Sequence, residues 1–150
     1  MSDRVVGGYT IDVDLLYDGE RHVWLLILGE GRARVGMDPL GVETMGDVVQ
    51  MYLQEPGVAL NRGAAFGTIE AAKFVGPLTM PVSGTILTNN QAVASDPGLL
   101  TRDPFGEGWL IEIEPSDPAE FDLLVRGEEQ VVEWFESKVR DYGAKGMLAE

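Results

Sequence analysis

Short apolar runs, separated by Gly, Pro and Asn, dominate the chain from residue 14 to about residue 114. Such runs are typical of β-strands, and several of them alternate apolar and polar positions. Their close spacing predicts a mainly β fold, a small sandwich or flattened barrel rather than a parallel sheet wrapped by helices. The expected strands are 22–28, 32–37, 47–53, 64–71, 74–81, 82–89 and 108–115.

Two segments carry helix signals. Asp38 is a natural N-cap, Pro39 fits a first helical turn and Gly46 can end the helix, so residues 38–46 predict one short helix. A second helical pattern follows residues 116–118, with Trp134 at the edge of its apolar face. That face consists of Val131, Val132, Phe135 and Val139. We expect this last helix to pack back on the sandwich, and a partner-binding helix is the alternative.

These patterns divide the chain into three zones. Residues 1–13 are predicted to form a polar lead-in, residues 14–115 the β domain and residues 116–150 a C-terminal helical extension. The longest apolar run, residues 23–28, is far too short to span a bilayer. The first residues include no hydrophobic signal-peptide region, so we expect a cytoplasmic protein.

The charge of the chain restricts its partners. It has 25 acidic against 11 basic side chains and a formal net charge of −14. Phosphate backbones and anionic membranes repel such a surface, so neither nucleic acid nor a membrane is an expected partner. The acidic excess is interpreted as a contribution to solubility or salt adaptation, or as attraction to basic rims on partner enzymes.

The chain contains no cysteine and a single histidine, His22. Disulfides, thiolate nucleophiles, thiolate or multi-histidine metal sites and iron–sulfur ligation are therefore excluded, and no metal is predicted. A general base is conceivable at His22, but no Ser or Cys nucleophile motif accompanies it, so a histidine packed at a sheet margin is preferred. Any redox function must be carried by a group added to the chain.

Lys73 is one of only three lysines, and the other two lie near the C-terminus. Two β-type runs meet at Ala72-Lys73, so the lysine is predicted to lie at or beside a hairpin tip. One interpretation is a solvated charge that also blocks edge-to-edge aggregation. The other is an attachment point for a covalent group, and the local pattern alone favours the solvated charge.

Three blocks of sequence, in order, resemble the glycine cleavage system H protein and its lipoyl-carrier relatives. They are HVW at 22–24, EAAK at 70–73 followed by PVSG at 81–84, and DPFGEGWL at 103–110. The resemblance implies a lipoyl/biotinyl-type flattened β-barrel or sandwich, a barrel-sandwich hybrid with short helices and a C-terminal helical extension. It further implies lipoic acid in amide linkage to Lys73, and recognition of Glu70 and Gly67 by the lipoylating enzyme.

The function implied by this resemblance is that of a lipoyl carrier and not of an enzyme. The expected partners are a lipoate ligase or lipoyl transferase and the enzymes that load and unload the arm, met by a monomer through small transient interfaces. Biotin carriers typically flank the lysine with methionines, so Ala72 and Phe74 argue against biotin. In the DPFGEGWL block, we expect a tight loop that seats Trp109, with direct contact to the lipoyl arm as the alternative.

The sequence indicates less clearly which chemical group, or cargo, the lipoyl arm carries. Ala71 stands where the family motif has Ser, Val23 stands where it has an acid, and residues 74–77 read FVGP. That last segment resembles H-protein-like lipoate-binding proteins of heterodisulfide-reductase-like sulfur oxidation, so transport of sulfur intermediates to that complex is the first prediction. The alternatives are a glycine cleavage H protein carrying an aminomethyl group to the glycine cleavage enzymes, and an interaction scaffold that is never lipoylated.

Overall fold

A computed structural model describes residues 2–148 of the chain. Its strands are β1 (Asp3–Val6), β2 (Tyr9–Asp12), β3 (Leu16–Asp18), β4 (Val23–Gly29), β5 (Arg32–Met37), β6 (Val48–Leu53), β7 (Ala59–Leu60), β8 (Ala65–Ala71), β9 (Phe74–Thr79), β10 (Gly84–Asn89) and β11 (Ile111–Pro115). Its helices are α1 (Pro39–Met45), α2 (Gln91–Ser95), α3 (Leu99–Arg102) and α4 (Glu128–Ala144), with a 3₁₀ segment at Pro118–Leu123.

The strands form two main sheets and a separate hairpin, with antiparallel pairing throughout. One sheet has the strand order β3-β4-β5-β11-β10-β7, the other has the order β6-β8-β9, and β1 pairs with β2. Antiparallel neighbours need only short connections, which is why so many strands fit into so short a chain. The prediction of a mainly β sandwich with a C-terminal helix is confirmed.

The main core fills the space between the two sheets. Leu25, Val35 and Ile113 of the six-stranded sheet share one buried cluster with Phe66 and Ile69 of the three-stranded sheet. Ile69 and Ile113 alternate along their strands with more exposed positions, as a half-buried strand requires. Leu25 instead follows the buried Trp24, because the other face of that strand is covered by a second buried cluster. The hairpin of β8 and β9 is therefore fixed on a packed inner face, and its tip is carried by a rigid sheet.

Most predicted elements lie where the sequence placed them. The short helix begins after Asp38, whose Oδ1 accepts a hydrogen bond from the Gly41 N–H at 2.9 Å, and Gly46 caps its end. Strand β4, however, begins one residue later than predicted. His22 lies in the preceding turn with φ of 60°, because its side chain and its carbonyl oxygen both hold Asp38.

The predicted polar lead-in at 1–13 is wrong as a description of the N-terminal residues. Residues 3–12 form the hairpin of β1 and β2, and Val6, Ile11 and Val13 are buried. They share a second core with Leu40 of α1 and Phe135 of α4. The sequence pattern indicates this hairpin only weakly, because its apolar residues are few and its partners on α4 lie more than a hundred positions away.

The C-terminal helix packs back on the domain, as predicted. Val131 and Phe135 of α4 are fully buried, and the indole N–H of Trp134 donates to the Gly19 carbonyl oxygen at 3.0 Å. The helix crosses the β1–β2 turn so closely that a Cβ at Gly7 would lie 2.8 Å from Val139. Its apolar face is therefore occupied within the chain. Within residues 2–148, each helix is too short or too polar to span a bilayer.

Candidate functional site

Lys73 is the second residue of a two-residue turn that joins β8 to β9. Ala71 and Phe74 are paired across the hairpin, so only Ala72 and Lys73 lie beyond the last strand pair. The commonest two-residue hairpin turns require positive φ at one or both of these positions, yet neither residue has it. Something other than the intrinsic preference of the turn must hold this tip in place.

The hairpin tip is clamped by the end of α1. The Ala72 N–H donates to the Asp47 carbonyl oxygen at 2.9 Å, and the Lys73 N–H donates to the Met45 carbonyl oxygen at 2.8 Å. Both turn donors are thus satisfied by a neighbouring segment, and two carbonyl groups at the end of the helix gain partners. The backbone of the tip is fixed, which leaves the Lys73 side chain as its mobile part.

The Lys73 side chain is exposed, and its amine has no partner within the described part of the chain. Neither an ion pair nor a hydrogen bond to its Nζ occurs among residues 2–148. Its stem passes over Gly46, where an added Cβ would lie 3.5 Å from the lysine Cγ and 3.3 Å from the Ala72 Cβ. Gly46, with φ of 78°, therefore ends the helix and leaves room for the stem. The sequence indicated only the first of these roles.

Glu70 lies on the outer face of the three-stranded sheet, directly opposite Val75 on β9 and Gln50 on β6. Its neighbours along β8, Ile69 and Ala71, are buried, so the glutamate side chain points away from the core. The carboxylate is thus one pleat away from the turn that bears the lysine. It can be touched by any protein that approaches the tip from outside.

Gly67 occupies a different environment from Glu70. It is buried on β8 between Leu53 and Leu78, and a Cβ there would lie 2.3 Å from the Tyr52 carbonyl oxygen. Only glycine therefore allows β6 to pair so closely with β8 at this position. The structure brings Lys73 and Glu70 together at the tip and places Gly67 farther down the same strand.

A groove of about 200 Å³ lies between β9 and α1. Its walls near the hairpin are apolar and include Phe74, Pro77 and Met45. The Phe74 ring lies along the strand because Gly76 has no side chain, and a Cβ there would be 2.8 Å from the ring. The groove thus offers an apolar surface within the same hairpin that bears the lysine.

His22 closes the far end of this groove but has no free ring nitrogen. Its Nδ1 lies 3.0 Å from a carboxylate oxygen of Asp38, and its Nε2 is hydrogen-bonded to the hydroxyl of Tyr142 on α4. Asp38 is fully buried and also caps α1. Because both nitrogens have partners, the geometry fits the structural role that the sequence favoured for His22, and it ties α4 to α1.

The DPFGEGWL block forms a loop around the second core. The Trp24 indole N–H donates to the Pro104 carbonyl oxygen at 3.1 Å, and the Phe105 ring packs 5.9 Å from the Trp24 ring. Trp109 is half-buried beneath the Arg34 guanidinium, 5.0 Å from its ring centre. These contacts fit the predicted tight loop that seats Trp109.

The chemistry available at the tip is that of one accessible primary amine. Among residues 2–148, no group of three His, Asp or Glu side chains is arranged to hold a metal ion. A lysine amine on a fixed turn, with space for its stem, fits acylation by a carboxylic acid such as lipoic acid. Amide formation removes the positive charge, and no buried partner would have to be abandoned.

Comparison with known proteins gives matches to one family. A family model described as glycine cleavage H-protein matches residues 15–137. The glycine cleavage system H protein of Synechococcus sp. (strain WH7803) is 44% identical over 92 residues, which cover 61% of this chain and 71% of the relative. The glycine cleavage system H protein 2 of Aquifex aeolicus (strain VF5) is 31% identical over 137 residues, which cover 90% of this chain and 81% of the relative.

A solved structure is similar as well. The crystal structure of a glycine cleavage system H protein from Mycobacterium marinum matches with a TM-score of 0.65 and 32% sequence identity. The match covers 74% of this chain and 95% of that one. The similarity therefore includes both the sequence blocks and the arrangement of the sheets.

Proposed function

The chain belongs to the glycine cleavage H-protein family, and from this premise we propose that Lys73 is the residue to which its lipoyl group is attached. Members of the family are non-catalytic lipoyl carriers, with the lipoic acid held covalently on a lysine. The observation that supports Lys73 is the exposed, unpaired amine at a clamped two-residue hairpin tip.

Acylation of this amine is a simple exchange. The ammonium loses a proton, and its nitrogen attacks the carbonyl carbon of a lipoyl group activated as an acyl adenylate. A C–N bond forms, the bond to the activating phosphate breaks, and the adenylate leaves. Attached to Lys73, the group would supply a reducible dithiolane, whose S–S bond can be opened to hold a carried group on one sulfur and leave a thiol on the other.

The residues of the chain have supporting roles in this proposal. The Met45 and Asp47 carbonyl groups hold the tip, so that an approaching enzyme meets a fixed turn. The half-exposed Glu70 lies on the face that such an enzyme meets and contributes to recognition, whereas the buried Gly67 contributes by setting the distance between β6 and β8. The groove beside Phe74 offers the arm an apolar surface when it is not engaged.

The cargo that we propose is the aminomethyl group, and the partners are the glycine cleavage enzymes. The relatives named above are glycine cleavage system H proteins by name, which favours the alternative from the sequence over its first prediction. Sulfur transport is the second candidate, and the Phe-Val-Gly-Pro segment at 74–77 is the observation that favours it. A lipoate ligase or lipoyl transferase is the remaining expected partner.

Intact-mass measurement tests the attachment site. The protein is incubated with lipoate, ATP and a lipoate–protein ligase, and we expect a mass increase of one lipoyl group. Lys73→Arg should remain unmodified, whereas the control Lys138→Arg should be modified like the wild type. An unmodified wild type would contradict the assignment and favour the scaffold interpretation, whereas a modified Lys73→Arg would contradict the assignment by showing that another amine carries the lipoyl group.

The cargo is tested on the lipoylated protein. With glycine and glycine decarboxylase, we expect an aminomethyl adduct on the arm and release of carbon dioxide. A lipoylated protein that is not loaded by the decarboxylase, but that accepts sulfur from a sulfur-oxidation donor, would transfer the preference to the second candidate.

A further inference from the structure

The outer face of the three-stranded sheet is a surface that no other element of the described chain covers. Two rows of side chains cross it beside the lysine-bearing turn. The first row is Gln50, Glu70 and Val75, and the second is Tyr52, Thr68 and Pro77. Val75, on the outer strand β9, is 76% exposed, and Tyr52, on the outer strand β6, is 54% exposed.

The position of this face relative to Lys73 restricts how an enzyme can reach the amine. On the inner side, the tip rests on the end of α1, where the Met45 and Asp47 carbonyl groups accept its two N–H groups. The remaining inner face packs on the core. An enzyme that acylates Nζ must contact the protein beside the turn, and the outer face is the broad, open surface there.

The charge of this region indicates what kind of surface would fit it. Strands β6, β8 and β9 contain no Lys or Arg, while Glu70 lies in the outer face and Asp47 and Glu55 flank β6. No ion pair to these three carboxylates occurs within residues 2–148. The face therefore carries Glu70 on its central strand, flanked by the exposed Val75 and Tyr52 of the two outer strands, and its carboxylates have no basic partner among the described residues.

We propose that this outer face, defined by Gln50, Tyr52, Thr68, Glu70 and Val75, is the docking surface for the enzyme that acylates Lys73. That enzyme meets it with apolar contacts to Val75 and Tyr52 and with Arg or Lys side chains opposite Glu70. The inference rests on the proposed function of Lys73. Complementary charge of this kind accelerates encounter and fixes orientation, whereas the apolar contact lowers the rate of dissociation.

Paired substitutions separate the apolar contact from the charge. Val75→Lys removes the apolar contact and places a positive charge against the basic side chains of the enzyme. Val75→Glu removes the same contact but places a negative charge there, which those side chains attract. Val5 provides the matched control, because it is also a strand valine, is 71% exposed and lies in the separate β1–β2 hairpin. Val5→Lys and Val5→Glu carry the same changes in net charge without touching the outer face.

The measurements are kcat/KM for acylation by a lipoate–protein ligase, followed by intact mass, and the Kd for that ligase without ATP. We expect Val75→Lys to lower kcat/KM at least tenfold and to weaken binding, with a smaller loss for Val75→Glu. Both Val5 variants should stay within twofold of the wild type. Circular dichroism verifies that all four variants are folded, as expected for changes at exposed positions.

Salt dependence is the second readout. Raising NaCl from about 50 mM to about 500 mM shortens the screening length several-fold, so kcat/KM of the wild type should fall. If Val75→Lys acylates as fast as Val5→Lys, the docking proposal is overturned while the role of Lys73 stands. A higher kcat/KM for acylation of Val75→Lys would equally overturn it, since the docking surface of the enzyme would then be acidic. An unmodified wild type would overturn both proposals.

Discussion

Replacing Gly67 by alanine tests whether this buried glycine acts by holding two strands together. An alanine Cβ would lie 2.3 Å from the Tyr52 carbonyl oxygen, and the strands must separate by about 0.7 Å to restore a 3.0 Å contact. The obstacle is backbone on a paired strand, which cannot rotate away as the end of a side chain can. The separation also stretches hydrogen bonds between β6 and β8, and β8 is one strand of the lysine-bearing hairpin.

The size of the effect follows from these two contributions. Overpacking in a close-packed region costs about 1–3 kcal/mol. Weakening one backbone hydrogen bond adds about 1 kcal/mol. We therefore expect Gly67→Ala to lower the free energy of unfolding by about 2–4 kcal/mol. For a chain of this length, that corresponds to a fall in Tm of roughly 5–15 °C.

Gly76→Ala is the matched control on the neighbouring strand. A Cβ there would lie 2.8 Å from the Phe74 ring, but that ring is 42% exposed and can rotate into solvent. We expect its free energy of unfolding to fall by about 0.5 kcal/mol, in the range of ordinary surface substitutions. Urea unfolding followed by tryptophan fluorescence measures both variants under one set of conditions.

Two results would refute the reasoning about Gly67. In the first, the free energy of unfolding of Gly67→Ala lies within about 0.5 kcal/mol of the wild-type value. Combined with slow acylation by the ligase, that result would mean that the enzyme reads this glycine directly. In the second, Gly76→Ala is as unstable as Gly67→Ala, so backbone and side-chain obstacles would not differ as proposed.

Three further predictions concern the tip and the second core. Burial raises the pKa of Tyr17 above its ordinary value. The unfolded chain therefore loses this proton first, so the stability that Tyr17 contributes below about pH 10 should fall above it by about 1.4 kcal/mol per pH unit. The pKa values of Tyr9 and Tyr142 are raised as well, so urea unfolding of the wild type should show a steeper total slope, which Tyr17→Phe should reduce by about that amount. Gly46→Ala places a side chain in a backbone conformation open almost only to glycine. We therefore expect the free energy of unfolding to fall by about 1–3 kcal/mol. The control Gly57→Ala, with φ of 95° and open space around it, should be acylated normally, whereas Gly46→Ala should be acylated slowly; equal rates would contradict the clamp. Tyr142→Phe leaves a ring nitrogen of His22 without its partner, so denaturant unfolding should show a free energy of unfolding lower by about 1–3 kcal/mol. If this variant is as stable as the wild type, the hydrogen bond between Tyr142 and His22 contributes nothing to stability.

Local signals in the sequence were sufficient for much of the candidate site. The β8–β9 hairpin was predicted from two apolar runs that meet at Lys73, and α1 was predicted from Asp38, Pro39 and Gly46. These features depend on side-chain alternation and on the conformational limits of single residues, which operate over a few positions. The sequence pattern alone did not favour attachment at Lys73; that interpretation came from the family resemblance.

What the sequence determined by itself is therefore a β sandwich with an exposed lysine at a turn, a strongly acidic surface and no sulfur nucleophile. Only the tertiary structure decided that the Met45 and Asp47 carbonyl groups clamp the tip, that Gly67 is buried and that residues 3–12 join α4 in a second core. The physical reason is distance along the chain. Met45 lies 28 residues before Lys73, and contacts between such remote segments depend on how the sheets pack, which no short pattern of residues records.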